Sequence, residues 1–415
     1  MNIKKEVINN NIENIGEEIE NKTNSYKNNK MIYSKHNSNK ENNGDNNNYK
    51  DNKNKKKKLC PVEDIIKTQN KIIQNRKENT AKNKKRLSLF TQDLFSKPYK
   101  HINNEKKELK LSLGEIISKK ILINASITKK GNKYLGEQKN QDSLFKVKFS
   151  DINFSFYGVC DGHGKNGHLV SNFIKNNLPI ILYNKLKKLI NSNFKKDKNK
   201  INIINYEKLF QDSFSNLESN IISNKNINID FSGSTCASLL FSKYSIISAN
   251  IGDSRAIKGQ LINNKWSYEI LTRDHKPKEK DEAERIIKLN GDIHPFILDN
   301  GRYNGPLRVW IKERNFPGLS MTRVIGDKLF KSIGVSSEPE IKIFPYKNYD
   351  KFVIIASDGL WDYVSNNEAV QIVSHYYIIN DCDSAVLKLY EIAYNKWINN
   401  ERYIDDISII VVFLE

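Results

Sequence analysis

The feature that most restricts this chain is a recurrence: short runs of β-branched and aromatic residues bounded by Gly, Asp and Ser, with a set of aspartates that each follow or open such a run. Phe154 to Val159, Thr235 to Phe241, Tyr244 to Asn250, Phe352 to Ala356 and Ile407 to Phe413 read as strands, because such side chains fit a pleated surface and Gly, Asp and Ser end it. The acids lie in Asn140-Gln141-Asp142, Asp161-Gly162-His163-Gly164, Gly252-Asp253-Ser254, Ser357-Asp358-Gly359 and Asp405-Asp406. Placed at strand ends, five such carboxylates can converge on one cleft.

Helical spacing falls between these runs, in Leu169, Val170, Phe173 and Ile174 and again in Leu209, Phe210, Phe214, Leu217 and Ile221. Two further helices are expected near Asp281 to Leu289 and Ala385 to Trp397. Helices that come in pairs between groups of strands argue for α+β architecture with antiparallel sheets, not for a doubly wound sheet. The polar segments Lys195 to Ile204 and His294 to Asn315 read as surface insertions.

Converging carboxylates repel one another, and burying them unpaired costs several kcal/mol each, so something cationic belongs among them. Carboxylate, carbonyl and water are the ligands of Mg²⁺ and Mn²⁺, whereas the His or Cys clusters that hold zinc are absent from the sequence. Two such ions about 3.5 to 4 Å apart turn a water into a nucleophile at neutral pH and neutralise phosphate oxygens. Each motif alone is weak, because Asp-Gly is a common turn pair.

The apolar fraction of 38% is low for a wholly globular chain. The deficit is localised, with 16 Asn among the first 50 residues. Residues 1–110 are therefore expected to be a low-complexity, disordered extension, and residues 111–415 a catalytic domain. Residues 1–100 carry 23 Lys and Arg against 12 Asp and Glu, over half of the chain's net charge of +20. Runs such as Lys55-Lys56-Lys57-Lys58 and Lys84-Lys85-Arg86 read first as a solvated basic linker, and also suit nucleic acid, anionic lipid or a nuclear import receptor.

Cys60, Cys160, Cys236 and Cys382 lie far apart with no CxxC spacing, which fits a reducing, intracellular compartment, cytoplasm or nucleus. No run of apolar residues is long enough to span a bilayer, the amino terminus has no secretory h-region, and Asn2 stands where myristoylation needs glycine. Lys146-Val147-Lys148-Phe149 alternates as a strand does, although it also looks like a phosphatase-docking motif, and Lys85-Arg86-Leu87-Ser88 fits a basophilic kinase.

Taken in order, eight motifs make the chain resemble the protein phosphatase 2C (PPM, metal-dependent protein phosphatase) family from about residue 115 to Glu415. They are Asn140-Gln141-Asp142; Gly158-Val159-Cys160-Asp161-Gly162-His163-Gly164; Ser232-Gly233-Ser234-Thr235; Ala249-Asn250-Ile251-Gly252-Asp253-Ser254-Arg255; and Leu271-Thr272-Arg273-Asp274-His275-Lys276-Pro277. Pro317 to Asp327, Ala356-Ser357-Asp358-Gly359-Leu360-Trp361-Asp362 and Asp405-Asp406-Ile407-Ser408 complete the set.

The resemblance implies a four-layer αββα sandwich of two antiparallel sheets flanked by helices. It also implies a protein serine/threonine phosphatase in which hydroxide bridging two Mg²⁺ or Mn²⁺ ions attacks phosphoserine or phosphothreonine; apart from the resemblance, a monomer is the expectation. On this likeness Asp161 bridges both ions and the Gly162 carbonyl completes the second site; Asp358 and Asp405 hold the first, and Gln141 and Asp142 act mostly through water. His163 takes the place of the general acid, and Asp253 and Asp362 match residues that hold a third, looser ion.

Two departures stand out: Gln141 is neutral where many members have Glu, and Glu137 stands where many carry the phosphate-clamping Arg. Lys139, Lys133, Arg308 and Arg323 are the basic residues left to hold the substrate phosphate. These departures keep open an alternative, a weak or inactive pseudophosphatase that binds phosphoproteins.

Overall fold

The computed structural model describes residues 118–132, 139–196, 204–312, 317–401 and 403–415. The amino-terminal extension with its basic runs and kinase motif, Lys133, Glu137 and most of the segment from Lys195 to Ile204 lie outside the described residues. In chain order, β1 (Ile121–Lys129), β2 (Ser143–Phe149), β3 (Phe154–Cys160) and the two-residue β4 (Gly162–His163) lead into α1 (Gly167–Lys196) and α2 (Tyr206–Ser223). β5 (Gly233–Ser234), β6 (Cys236–Phe241), β7 (Ser245–Ile251), β8 (Arg255–Ile262) and β9 (Lys265–Ile270) follow. Then come α3 (Lys280–Lys288), the hairpin of β10 (Gly291–Ile297) and β11 (Tyr303–Ile311), and β12 (Ile325–Gly326). β13 (Glu340–Pro345), β14 (Asp350–Ala356), α4 (Asp358–Trp361), α5 (Asn366–Ile378), α6 (Cys382–Asn400) and β15 (Ile407–Leu414) end the chain.

The strands form two five-stranded antiparallel sheets, one ordered β1-β15-β14-β8-β9 and the other β13-β7-β6-β3-β2. Side-chain alternation along a strand sends neighbours to opposite faces. In β15, Ile407, Ile409, Val411 and Phe413 accordingly pack under α5 and α6, while Ile410, Val412 and Leu414 face the second sheet. Both faces are covered, so β15 reads as an apolar run interrupted by the buried Ser408 alone. The second sheet packs its outer face on α1 and α2 through Phe156, Leu182, Phe210 and Phe214. At about 1.5–3 kcal/mol for each large apolar side chain removed from water, these three layers of contact hold the αββα sandwich together.

The expected strands appear with ends shifted by one or two residues, and the four expected helical stretches all form. The segment His294 to Asn315 is more than a polar insertion: through Ile311 it forms most of a hairpin, with His294 stacked on Trp310 at 4.9 Å and the Trp310 indole donating to the His294 carbonyl. Helix α5 is not among the helices expected from spacing; it starts where Ser365 caps the Glu368 amide. Lys146-Val147-Lys148-Phe149 lies on β2, an edge strand, with Phe149 buried against Tyr183, which leaves the strand reading and removes the docking one.

Register brings the acids to one end of both sheets. Ser143 at the start of β2 sits opposite Cys160 at the end of β3, and Cys236 opposite Ile251. In the other sheet Ala356 lies opposite both Arg255 and Ile409.

Candidate metal centre

The chain leaves β3 at Cys160 and turns at Asp161, whose backbone amide donates to the Thr235 hydroxyl at 3.0 Å and whose carbonyl accepts from the Thr235 amide at 2.9 Å. Thr235 is itself fixed by Ser254 at 2.7 Å. Gly162 has no room for a side chain: a Cβ would lie 2.4 Å from the Gly167 carbonyl oxygen and 2.6 Å from that of Gln141. The turn that carries Asp161 is therefore set by backbone packing rather than by its own carboxylate.

Asp142 is buried and receives the Ser357 hydroxyl at 2.8 Å; Ser357 immediately precedes Asp358 and also accepts from the Ser408 amide. Asp406, the departure at the second place of the terminal pair, accepts from the Gly131 amide at 2.7 Å and the Gln141 amide at 2.8 Å. It thus ties β15's entry to the loop carrying Asp142. Asp405 accepts from the Asp406 amide at 2.7 Å. The Gln141 side-chain amide donates to the Gly164 carbonyl at 2.7 Å, closing the turn after His163.

The carboxylates meet. Burial and then the charge of Asp358, Asp142 and Asp405 push the Asp161 carboxyl far above the usual carboxylate range. Burial, then Asp253, Asp405 and Asp362, do the same to Asp358. For Asp142, burial above all lifts the value to about 7, with Asp406 and Asp405 adding to it against the Ser357 hydrogen bond. The cause is in each case the one expected of acids gathered without a counter-charge: the ionised form is disfavoured.

One cation of the protein's own does stand at the edge. The Lys276 ammonium lies 3.2 Å from Asp253, and Asp253, then Asp362 and Asp358, strengthen its hold on its proton. Asp253 is 1% exposed and neither of its oxygens has a hydrogen bond.

Among the described residues no three His, Cys, Asp or Glu side chains already enclose a single point as a chelate. The implied set does not require one, because one of its ligands is a backbone carbonyl and others reach an ion through water. An unpartnered Asp142 oxygen, the crowded Asp161, Asp358 and Asp405 carboxyls and the all-oxygen chemistry of the set fit hard divalent ions.

His163 is half-buried, and its Nε2 lies 2.5 Å from the carboxylate of Asp327, which is wholly buried. Burial opposes charge on the ring, but Asp327 outweighs it and the pKa rises above the ordinary histidine value. The sequence motifs contain Asp327 and Lys276 without marking a role for either. The Gly-Asp pair after β12 is the available signal for the first, but only the fold brings it to His163.

The basic candidates for the substrate phosphate do not gather. Lys139 is exposed two residues before Gln141. Arg308 donates to the Gly318 carbonyl on the β11 hairpin. Arg323 is bound at 2.6 and 3.0 Å to the fully buried Glu282, shared with Arg285 and Thr322, and its remaining nitrogen donates to the Glu338 carbonyl. Its guanidinium holds the loop before β12 instead of facing the acids. Arg323→Ala is expected to lower unfolding stability by about 3 kcal/mol, because it strips a partner from a buried charge. Chemical denaturation reads that loss, and an undiminished midpoint would make Arg323 a phosphate ligand again.

Residues 133–387 match the protein-family model for Protein phosphatase 2C. Among similar proteins is one named Probable protein phosphatase 2C 1 from Arabidopsis thaliana, 31% identical over 305 residues, a match spanning 66% of this chain and 63% of that protein. Probable protein phosphatase 2C 61 from the same plant is 33% identical over 285 residues, covering 67% of this chain and 82% of the relative. The fold is similar to the crystal structure of a serine-threonine phosphatase 2C from Toxoplasma gondii, with a TM-score of 0.59 at 21% identity, over 70% of this chain and 94% of that one.

Proposed function

The chain belongs to the protein phosphatase 2C family, and from that premise we propose that it is a Mg²⁺- or Mn²⁺-dependent phosphatase acting on phosphoserine and phosphothreonine in proteins. The observation that carries the reading is the meeting of Asp142, Asp161, Asp358 and Asp405 at one end of the sandwich, where Asp142, Asp161 and Asp358 are each disfavoured as lone anions. Bound cations relieve such an arrangement, and the fixed turns at Thr235, Ser357 and Asp406 hold the acids in place for them.

In this reading Asp161 and the Gly162 carbonyl, Asp358 and Asp405 hold two ions, with Asp142 and Gln141 acting through water. Bound there, divalent ions supply an activated water and neutralise the phosphate oxygens. The protein orients the ligands through Thr235 and Ser357, and His163 protonates the departing seryl or threonyl oxygen. Lys139, exposed and close in sequence to Gln141, is the basic side chain left for the substrate phosphate, and a point ammonium there contacts one phosphate oxygen without the two-pronged grip of a guanidinium.

The test is release of phosphate from a phosphothreonine peptide by the purified protein with Mn²⁺, with Mg²⁺ and with chelator. Turnover appears only with an added ion. Turnover that survives chelation rules out the metal assignment, and phosphopeptide binding without turnover in either ion supports the pseudophosphatase alternative, for which neutral Gln141 is the specific reason.

A further inference from the structure

Resting on that reading, we propose that Asp327 is a positioning residue: it grips Nε2–H of His163 and so makes Nδ1 the atom that hands its proton to the leaving oxygen. The sequence places the two residues 164 positions apart, and a small three-stranded sheet, separate from the two large ones, joins them. β5 is its middle strand, pairing with β4 on one side, where His163 faces Gly233, and with β12 on the other, where Gly326 faces Gly233. His163, Gly233 and Gly326 thus form one row, and Asp327 follows the end of it.

What lets the carboxylate cross that row is the missing side chain of Gly233. A Cβ there would lie 2.2 Å from the same Asp327 oxygen that meets His163. The backbone of Asp327 is held in the left-handed region, φ 47° and ψ 52°, by its amide donating to the Ser232 carbonyl at 3.0 Å. Among the described residues it is the one positive-φ position occupied by neither Gly nor Asn. A conformation that costs about 1 kcal/mol or more for a residue with a side chain, kept where it aims that side chain at a histidine, points to a role beyond filling the loop.

The hydrogen bonds fix the division of labour on the ring. Nε2 is taken by Asp327, whereas Nδ1 has no protein partner although it is closed off from solvent. Gly162, one residue before His163, belongs to the turn of Asp161, so Nδ1 is the nitrogen left for the chemistry. In the step itself the P–O ester bond breaks as the new P–O bond to the attacking water oxygen forms; that oxygen gives up one proton to bulk solvent, and solvent returns one to His163 after each turnover. The leaving oxygen keeps the electron pair of the broken bond and takes the Nδ1 proton. His163 is left neutral with its remaining proton on Nε2, still donated to Asp327. This is the arrangement in which a carboxylate selects a histidine tautomer and orientation without itself becoming protonated.

The experiment compares wild type, Asp327→Asn, Gly233→Ala, His163→Ala and the Asp327→Asn/His163→Ala double variant in Mn²⁺ on two substrates. A phosphoserine peptide has an alkoxide leaving group that needs a proton, and p-nitrophenyl phosphate has one that does not. Asp327→Asn and Gly233→Ala are expected to lower kcat on the peptide roughly ten- to a hundredfold, a share of what general-acid catalysis contributes. KM stays within about twofold and nitrophenyl turnover within about threefold. In the His163→Ala background Asp327→Asn has no further effect.

A second readout needs no ions: the proton spectrum of the metal-free full chain shows a far-downfield ring N–H signal in wild type that is absent from Asp327→Asn and His163→Ala alike. Equal losses on both substrates, or additive losses in the double variant, overturn the assignment. So does a downfield signal untouched by Asp327→Asn. Should Asp327→Asn fail to fold, Gly233→Ala displaces the same carboxylate sterically and decides the question in its place. Wild type inert toward both substrates in Mn²⁺ removes the phosphatase reading and this assignment with it, whereas active wild type with uniform losses removes this assignment alone.

Discussion

Asp161→Asn is expected to make the metal-free protein more stable while abolishing its activity. Asparagine keeps the shape and removes one charge from a group in which Asp358, Asp142 and Asp405 already disfavour ionisation. Relief of that repulsion raises metal-free stability by at least about 1 kcal/mol. The same change withdraws a ligand, so added Mn²⁺ no longer shifts the melting midpoint and phosphopeptide turnover falls roughly a thousandfold or more, a loss of about 4 kcal/mol in transition-state stabilisation. Thermal melts with and without Mn²⁺, set beside turnover, read all three effects. A variant less stable than wild type without metal, yet still shifted by Mn²⁺, contradicts the electrostatic picture of the cleft.

The same electrostatics fixes a pH dependence. Burial holds Asp142, Asp161 and Asp358 above the ordinary value of 3.8, Asp142 at about 7, so these carboxyls bind protons more readily folded than unfolded. The Asp142 contribution to stability is then whole below about pH 4 and is lost as pH rises through about 7, and those of Asp161 and Asp358 are likewise lost with rising pH. Divalent ions reverse the trend at the upper end, because they favour the ionised carboxylates.

Much of this is legible in the sequence because it follows from local pattern. β14 from Phe352 and β15 from Ile409 are buried on both faces and show it as continuous apolar runs, and the turn acids beside them are marked by Gly and Ser. The strands beyond β14 in the same sheet are harder. β8 and β9 carry Lys258, Gln260 and Glu269, residues that look solvated, yet Lys258 is fully buried, bonded to Asp350 at 2.9 Å and to Glu269 at 2.9 Å. Burial of a charge with its partner leaves no trace in hydropathy, so such strands read as loops.

The same limit applies at the centre. That Asp142, Asp161, Asp358 and Asp405 share a cleft follows from their common place at strand ends, whereas the pairs Asp327 with His163, Asp406 with Gln141 and Lys276 with Asp253 join residues that no local spacing relates. Arg323 and Arg308 stand among the phosphate candidates for the converse reason: a guanidinium in the right motif looks the same in sequence whether it faces a substrate or a buried glutamate.

Lys276 provides the second large effect. Its ammonium is the counter-charge beside Asp253, whose carboxylate is otherwise without a hydrogen bond, and it also faces Asp362 and Asp358. It therefore stands where a third, looser ion is expected, and the two cannot both neutralise Asp253 fully. Lys276→Met leaves a buried carboxylate without its partner, and the metal-free protein is expected to lose about 3 kcal/mol or more. Mn²⁺ in the millimolar range restores that stability by taking the vacated position, so the stabilisation by metal exceeds that of wild type, and calorimetry resolves a binding event that wild type shows only weakly. Adding Asp253→Asn to Lys276→Met removes the uncompensated charge and recovers most of the metal-free loss, a coupling that a double-mutant cycle measures directly. If Lys276→Met melts like wild type without metal, the ammonium is not the cation that Asp253 depends on. If it melts lower but gains nothing extra from Mn²⁺, Lys276 supports the fold and does not compete with an ion.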